Sequence, residues 1–155
     1  MDITFRTLRE LLAAKPPGAL SIAPNASVYS ALQLMADKKV GLLVVLDGEK
    51  LIGVISERDY ARKVELRGKT AKDTTVRDVM TEKVVSVTPD NTVPECMALM
   101  NKHRIRHLPV VEGNRVIGVL SNRNLLEEVV AEEERRIKEL EHERIEAIGD
   151  HGGAY

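Results

Sequence analysis

Apolar and polar positions along the chain alternate with two different periods. Continuous apolar runs such as residues 40–46 predict buried strands, and apolar residues three and four positions apart predict one buried face of a helix. One such helical stripe comprises Val28, Ala31, Leu32 and Met35. Asp47-Gly48 separates two apolar runs and predicts a tight hairpin turn. The pattern therefore predicts short strands combined with amphipathic helices.

The same order of predicted elements occurs twice. In the first half, the predicted strands are residues 19–22, 40–46 and 51–55, with one helix opened by Ser27 and another over residues 57–66. In the second half, the predicted strands are residues 84–87, 108–111 and 116–120, with one helix opened by Thr92 and another after Ser121. Each half is therefore predicted to be a β-α-β-β-α unit.

An internal duplication underlies this repetition. Residues 20–61 recur without insertion as residues 85–126, and the pairs Gly48/Gly113, Gly53/Gly118 and Ser56/Ser121 keep the register. Repeats of this kind bury their apolar faces against each other, because neither covers its core alone. We therefore expect an α/β (α+β) fold in which two repeats pack about a pseudo-twofold axis.

Helices are predicted to flank the two repeats. Phe5, Leu8, Leu11 and Leu12 have helical spacing, and Pro16-Pro17 ends that segment. The predicted division is residues 1–18 (N-terminal helix and loop), 19–67 (repeat 1), 68–81 (linker), 82–131 (repeat 2) and 132–155 (charged helix and tail), with disorder expected from residue 149. The charged helix carries a thin apolar seam on Ile137, Leu140, Ile145 and Ile148. Two interpretations of this seam remain open: the helix packs on its own domain, or it associates with the same helix of a second chain.

Composition narrows the function classes. The 155 residues suit one compact body, and a net charge of −1 with a pI near 6.4 disfavours nucleic acid and anionic membranes as partners. The apolar runs are too short to cross a bilayer, and charges interrupt the N-terminus where a signal peptide would be apolar. A cytoplasmic protein is expected. Cys96 aligns with Ala31, which favours a small buried hydrophobe over a reactive thiol.

Ser56 and Asp59 are the first candidates for chemistry, and their spacing has two interpretations. Side chains three apart at a helix start form a capping box, which satisfies free backbone amides. The same helix N-terminus attracts phosphate, to which Arg58 adds a cation, while Asp59 could accept both hydroxyls of a ribose. The recurrence of the serine after a matched strand in repeat 2 favours a binding role.

At these residues the chain resembles a known family, the paired CBS-domain proteins or Bateman modules, of the stand-alone bacterial type. The resemblance covers residues 20–130 and depends on the duplicated element order and on three segments. These segments are Gly53-x-x-Ser56-x-x-Asp59, Arg106-His107-Leu108-Pro109-Val110 and Val79-Met80-Thr81. The resemblance implies two clefts that bind AMP, ADP, ATP or NAD, and it implies association into a homodimer.

The resemblance also implies roles for individual residues. Ser56 and Asp59 would hold phosphate and ribose, residues 22–23 and 41–42 would flank the base, and Arg106 and His107 would reach phosphates. Repeat 2 departs from the pattern, because Asn124 stands where repeat 1 has Asp59, so unequal clefts are expected. The full set of nucleotide-binding candidates is Ile22, Ala23, Gly41, Leu42, Ser56, Arg58, Asp59, Thr88, Arg104, Arg106, His107, Pro109, Ser121, Arg123 and Asn124.

Neither a catalytic centre nor a metal site is expected. Glycine-rich phosphate loops, Walker-type motifs, zinc-protease motifs and nucleophile elbows are missing from the sequence. His103 and His107 lie four apart, but the predicted change from helix to strand between them removes a shared face. The leading interpretation is a non-catalytic sensor of adenine nucleotide that modulates an unidentified target protein. The alternative is an interaction adaptor with vestigial clefts that acts through its C-terminal helix.

Overall fold

The computed structural model describes residues 3–151, with side chains described through residue 148. The first half contains α1 (Leu8–Ala13), β1 (Ser21–Ile22), α2 (Val28–Lys38), β2 (Leu42–Asp47), β3 (Lys50–Ser56) and α3 (Glu57–Lys63). Two short 3₁₀ turns, Glu65–Arg67 and Ala71–Asp73, lead into the second half. That half contains α4 (Val76–Val79), α5 (Val93–His103), β4 (His107–Glu112), β5 (Arg115–Ser121) and α6 (Asn122–His151).

The strands form two small sheets with matching registers. In the first sheet the order is β1-β2-β3, with β1 parallel and β3 antiparallel to β2. In the second sheet β4 pairs with β5 in the same antiparallel register, so that Val110 faces Gly118 as Val45 faces Gly53. The burial patterns of β3 and β5 are identical along all seven residues. The predicted fold class, with two α/β repeats and flanking helices, is confirmed.

The helix starts follow the capping chemistry of the sequence. Ser27 caps α2 and Thr92 caps α5, each accepting a hydrogen bond from the amide three residues on. Both helices end at a left-handed residue, Lys39 with φ of 55° and Arg104 with φ of 54°. The predicted stripe of α2 is buried at Val28, Ala31 and Met35, whereas Leu32 is half-buried.

The short helices before the repeats are exchanged between the two cores. Leu8 of α1 is fully buried in the core of repeat 2, although α1 precedes repeat 1 in the chain. Val76 and Val79 of α4, which precedes repeat 2, are buried in the core of repeat 1. A Cβ at Gly118 would lie 2.6 Å from Leu12, and one at Gly53 would lie 2.8 Å from Met80. A lead-in segment therefore approaches a glycine closely in both sheets, and at Gly53 the Thr81 carbonyl oxygen is one of the atoms that a Cβ would meet.

Two stretches differ from the predicted elements. Residues 84–87 do not form a strand, and only Val87 makes a parallel bridge, to Val110. The segment instead crosses from Thr81, which bridges Val54 in the first sheet, to Val87 at the second. Such a crossing leaves too few residues beside either sheet for a ladder.

The C-terminal helix also differs from the prediction. α6 runs unbroken through the predicted boundary between residues 131 and 132 and continues to His151, beyond the predicted start of the tail at residue 149. Residues 152–155 of that tail lie outside the described part. Glu128 and Glu132 of α6 are buried, and both pair with Arg135. Glu128 also accepts a hydrogen bond of 2.9 Å from the Arg6 amide, which fastens the N-terminal segment to this helix.

The lone cysteine lies inside the second core, as predicted. Cys96 lies on α5 and is fully buried, and burial raises the pKa of its thiol to about 11. A thiol with such a pKa is almost entirely protonated near neutral pH and a poor nucleophile. Cys96 therefore serves as a small apolar side chain. Within residues 3–151, no helix combines the length and apolar character needed to cross a membrane.

Candidate functional site

A cavity of about 730 Å³ lies where the two repeats meet. Its volume falls within the range of roughly 300–1,000 Å³ that small-molecule sites occupy. Its walls come from the start of β2, the end of β3, α3, the crossing segment at residues 81–85 and the chain from α5 to β4. The lining residues are Gly41, Leu42, Val54, Ser56, Glu57, Arg58, Asp59, Arg62, Lys63, Thr81, Lys83, Val84, Val85, His103, Arg104, Ile105, Arg106, His107 and Pro109.

Ser56 and Asp59 form the predicted capping box at the start of α3. The Asp59 amide donates to Ser56 Oγ at 3.2 Å, and the Ser56 amide donates to Asp59 Oδ2 at 3.0 Å. The Ser56 hydroxyl donates to the same carboxylate oxygen at 3.1 Å. The structural interpretation of this pair is therefore realised, and the two side chains also lie on the cavity wall.

The second oxygen of Asp59 connects α3 to the crossing segment. Thr81 Oγ1 donates to Asp59 Oδ1 at 3.1 Å, and Lys63 Nζ lies 3.0 Å from the same atom. Lys63 also donates to the Val79 carbonyl at 2.9 Å. Asp59 is 9% exposed, and Thr81 and Lys63 line the cavity with it. The carboxylate is thus held in one orientation beside the opening.

The cavity is positively charged although the chain as a whole is not. Six cationic side chains line it against two carboxylates, Glu57 and Asp59, in a protein of net charge −1. The cations are Arg58, Arg62, Lys63, Lys83, Arg104 and Arg106. Five of these side chains are exposed and Lys63 is half-buried. Cations gathered along a concave wall attract an anionic ligand more strongly than the same charges spread over the surface.

His107 adds a titratable group to the same wall. It begins β4 and is partly buried, and this burial lowers the pKa of its imidazole. The positive charges of Lys15 and Arg106 lower that pKa further. The neutral form is therefore favoured in this structure, and an anion beside the ring would shift the balance toward the charged form.

The backbone around the cavity is largely committed to internal hydrogen bonds. The Glu57 amide donates to the Gly41 carbonyl at 3.1 Å, and the matching Asn122 amide donates to the Arg106 carbonyl at 2.7 Å. The Asp59 amide is bonded to Ser56, as described above. The expectation of free amides at the start of α3 is therefore wrong for Glu57 and Asp59, because the Gly41 carbonyl accepts from the Glu57 amide and the Ser56 cap accepts from the Asp59 amide. An anion at this wall would therefore meet mainly side-chain cations.

Nine of the predicted site residues line this cavity. They are Gly41, Leu42, Ser56, Arg58, Asp59, Arg104, Arg106, His107 and Pro109. Leu42 is the direct strand partner of Ser56, which explains why residues 41–42 reach the site. The structure therefore brings five of the seven candidates of repeat 1 and the Arg-His segment of repeat 2 to one cavity.

Ile22 and Ala23 do not flank this cavity, in contrast to the expectation. β1 lies at the opposite edge of the first sheet from β3, and Ile22 pairs with Val45 there. Val84 and Val85 of the crossing segment supply apolar wall instead. This placement follows from the sheet order, in which β2 lies between β1 and the strand that ends at Ser56.

The remaining candidates of repeat 2 also lie away from this cavity. Ser121 and Asn124 repeat the cap of repeat 1, with the Ser121 amide donating to Asn124 Oδ1 at 2.8 Å. Arg123 is exposed and pairs with Glu127 along α6. The Thr88 amide donates to Asn91 in the turn before α5. Within residues 3–148, no cluster of His, Cys, Asp or Glu has the composition of a metal site.

Sequence reasoning missed ten residues of the cavity wall. These are Val54, Glu57, Arg62, Lys63, Thr81, Lys83, Val84, Val85, His103 and Ile105. The ion pair of Lys63 could have been predicted, since Lys63 lies four residues after Asp59 on the same helix. No sequence pattern predicts that residues 81–85 line the cavity, because their position depends on where the crossing segment passes between the repeats.

The sequence profile of the CBS domain matches residues 8–66 and again residues 76–131. This chain belongs to the CBS domain family. Both matched segments begin with a lead-in helix, α1 or α4, and include the hairpin and caps described above. The repeated unit of the family thus includes the short helix that packs on the opposite core.

Similar proteins agree with this assignment. The chain is 40% identical over 119 residues to the mitochondrial CBS domain-containing protein CBSX3 of Arabidopsis thaliana, covering 74% of this chain and 58% of CBSX3. Two further Arabidopsis relatives are spanned over only 24% of their length. A solved CBS-domain protein from Burkholderia ambifaria MC40-6, described as a candidate signal-transduction protein, superposes with a TM-score of 0.78 at 44% identity, over 81% of this chain and 95% of that chain.

Some relatives assemble into larger complexes. A hexameric CBS-CP12 protein from bloom-forming cyanobacteria superposes with a TM-score of 0.70 at 27% identity. The likeness covers 79% of this chain and 67% of that chain. Oligomeric assembly therefore occurs in proteins that share this fold.

Proposed function

We propose that this protein is a non-catalytic regulatory module that binds an adenine nucleotide in the cavity between its repeats. The observation that carries the proposal is the combination of a carboxylate and a serine at one wall with six cations around them. A ribose offers two hydroxyls to the carboxylate, and phosphates match the cations. AMP, ADP, ATP and NAD all contain both groups.

The apolar parts of the wall suit a purine base. Leu42, Val54, Val84, Val85 and Ile105 line the cavity beside the polar groups. Aliphatic side chains above and below a flat base, with backbone groups at its edge, hold a purine without an aromatic partner. This arrangement fits a chain that contains no tryptophan.

Regulation follows from where the ligand would bind. The cavity is built from both repeats, so a nucleotide contacting Asp59 and Arg106 bridges α3 of repeat 1 and the start of β4. A ligand shifts a conformational equilibrium only when it binds one arrangement better than another. We propose that nucleotide favours one relative packing of the repeats and so changes affinity for a target protein in the cytoplasm.

Thermal unfolding with AMP, ADP, ATP and NAD tests the proposal. At a concentration a hundredfold above the dissociation constant, ligand stabilises the folded chain by about 2.7 kcal/mol, or roughly 5–10 °C for this size. Arg106→Ala should reduce the shift, and the control Lys50→Ala, on the remote hairpin, should not. The absence of any shift with all four nucleotides at millimolar concentration would contradict the proposal.

A second candidate function has an observation of its own. The part of α6 from residue 137 to residue 148 is exposed at every position, and it presents Ile137, Leu140, Ile145 and Ile148 to solvent. Exposed apolar residues along one helix are typical of association surfaces. We propose that this segment mediates homodimerisation, and an adaptor acting only through α6 remains the alternative to nucleotide sensing.

A further inference from the structure

Lys15 lies at the position in repeat 2 that corresponds to the wall of the nucleotide cavity in repeat 1. Its Nζ donates to the Val119 carbonyl at 2.6 Å and to Asn124 Oδ1 at 3.0 Å. Val119 and Asn124 are the duplicated counterparts of Val54 and Asp59, sixty-five residues earlier. The lysine therefore bonds the two residues that would define a second nucleotide position.

The first position shows what Lys15 replaces. There the Thr81 amide donates to the Val54 carbonyl at 2.8 Å, and the Thr81 hydroxyl donates to Asp59 Oδ1 at 3.1 Å. At the second position one ammonium group makes both contacts. Residues 16–17 are prolines, which have no amide proton to donate, so the lysine side chain supplies the donor that Thr81 supplies from its backbone.

The acceptor capacity of Asn124 is then exhausted. Its single side-chain oxygen already accepts from the Ser121 amide at 2.8 Å and from Lys15 at 3.0 Å, and an amide oxygen has two lone pairs. Asp59 differs because two of the four donors on its carboxylate are the hydroxyls of Ser56 and Thr81, which can rotate to donate elsewhere and so leave an acceptor position for ribose. A ribose hydroxyl at the second position would have to displace Lys15 to find an acceptor.

The environment of Lys15 agrees with this role. Its side chain is half-buried, and burial lowers the pKa of the ammonium group, an effect that Glu127 partly opposes. A desolvated lysine with two hydrogen bonds is held in place more firmly than a lysine in solvent.

We propose that Lys15 closes the second position to nucleotide, so that each chain takes a single nucleotide, in the cavity lined by Asp59. The inference rests on the proposed function for the identity of the ligand. The closure itself depends only on the contacts of Lys15. Lys15 is accordingly a residue that sets binding stoichiometry.

A labelling experiment tests the closure without any nucleotide. The full-length protein is treated with a small amine-acetylating reagent, and the rate at each lysine is read by mass spectrometry. Lys15 should react several-fold more slowly than Lys50, and Asn124→Ala should accelerate Lys15 without changing Lys50. Reaction of Lys15 at the rate of Lys50 in the wild-type protein would overturn the closure.

Calorimetric titration with ADP then tests the stoichiometry. The wild-type protein should bind one nucleotide per chain, and Lys15→Ala combined with Asn124→Asp, which frees the position and restores the carboxylate, should bind two. Lys50→Ala is the matched control and should bind one. Two nucleotides per wild-type chain, or one per chain in the double variant, would overturn the inference. Binding to no variant, with Lys15 still slow to label, would reject the proposed ligand and leave the closure supported.

Discussion

Asp59 combines a structural role and a proposed binding role in one side chain. Its Oδ2 completes the cap of α3, and its Oδ1 faces Thr81 and Lys63 on the cavity wall. Repeat 2 contains a natural version of the cap without the charge, since Asn124 accepts from the Ser121 amide in the same way. The chain itself therefore shows that asparagine preserves this cap.

Asp59→Asn should separate the two roles. We expect its free energy of unfolding to stay within about 1 kcal/mol of the wild-type value, since the cap survives. Nucleotide affinity should fall by roughly 1–3 kcal/mol, because a charge-assisted acceptor of the ribose becomes a neutral one. Urea unfolding and calorimetric titration measure the two quantities.

Asp59→Ala is the companion variant, since it removes the cap as well. It should lower the free energy of unfolding by about 1 kcal/mol. The loss in the free energy of nucleotide binding should be larger than this loss of stability. A purely structural role for Asp59 would show the opposite order, with stability lowered and nucleotide affinity in the surviving folded protein unchanged.

His107 should make nucleotide binding depend on pH. Burial and two nearby cations lower its pKa in the unliganded protein, and a phosphate beside the ring would raise it. Binding then takes up a proton, so affinity should increase as the pH falls from about 8 toward 6. Titrations in buffers with different ionisation heats measure the proton uptake directly.

His107→Gln provides the control for this pH dependence. Protonation of the nucleotide phosphates is common to both proteins, so only the difference between them belongs to His107. The wild-type protein should also lose stability below about pH 6.5, where the unfolded chain is protonated first, and the variant should lose less. Equal proton uptake in both proteins would exclude His107 from the phosphate site.

Residues with local signals were found from the sequence, and residues placed by long-range packing were not. The Ser56–Asp59 pair is separated by one helical turn, so its spacing alone predicted the cap. Thr81 donates to Asp59 from 22 positions away in the sequence, and no regular spacing of residues predicts that contact. The exclusion of Ile22 and Ala23 had the same origin, since it depends on strand order.

At the scale of elements, the strongest sequence signals were confirmed. The hairpins, the capped helices α2 and α5 and the lead-in helix α1 all formed where apolar period and caps coincide. The predicted strand at residues 84–87 failed because its apolar run is used in a crossing between sheets. Residues 122–148 contain neither glycine nor proline, which favours one continuous helix. The prediction divided this helix because it placed the end of repeat 2 at residue 131.

The end of α6 can be removed without disturbing the repeats. Residues 137–148 are exposed, whereas Glu128, Glu132 and Arg135 anchor the preceding turns. A chain ending after Arg136 should keep its nucleotide affinity and melting temperature and should shift toward monomer. Sedimentation velocity and thermal unfolding check these expectations.

A truncation earlier in α6 serves as the contrast. Ending the chain after Leu126 also removes the buried Glu128 and the half-buried Val129, so it should destabilise repeat 2. If the chain that ends after Arg136 self-associates as strongly as the full protein, the dimer surface lies elsewhere. If it loses nucleotide binding, α6 contributes to the cavity in a way that its contacts do not explain.

At the scale of the whole molecule, the exchange of α1 and α4 joins the repeats into one folding unit. α1 is covalently attached to repeat 1 and buried in repeat 2, while α4 is buried in repeat 1 and leads directly into repeat 2. Neither core is complete without a segment that belongs to the other matched half. This interlocking also fixes the walls of the cavity between the repeats.

Leu8→Ala tests this cooperativity, because two of the three tyrosines report on the distant repeat. Leu8 is fully buried in the core of repeat 2, so truncation should lower the free energy of unfolding by about 2–5 kcal/mol. Tyr29 and Tyr60 lie in α2 and α3 of repeat 1. In urea, tyrosine fluorescence and far-ultraviolet circular dichroism should therefore shift together to the same lower midpoint.

Leu66→Ala, at a leucine that is 80% exposed, is the control and should leave both midpoints in place. A tyrosine midpoint that stays at the wild-type value while the circular dichroism shifts would mean that the repeats unfold independently, because the loss in one core would then not be felt in the other.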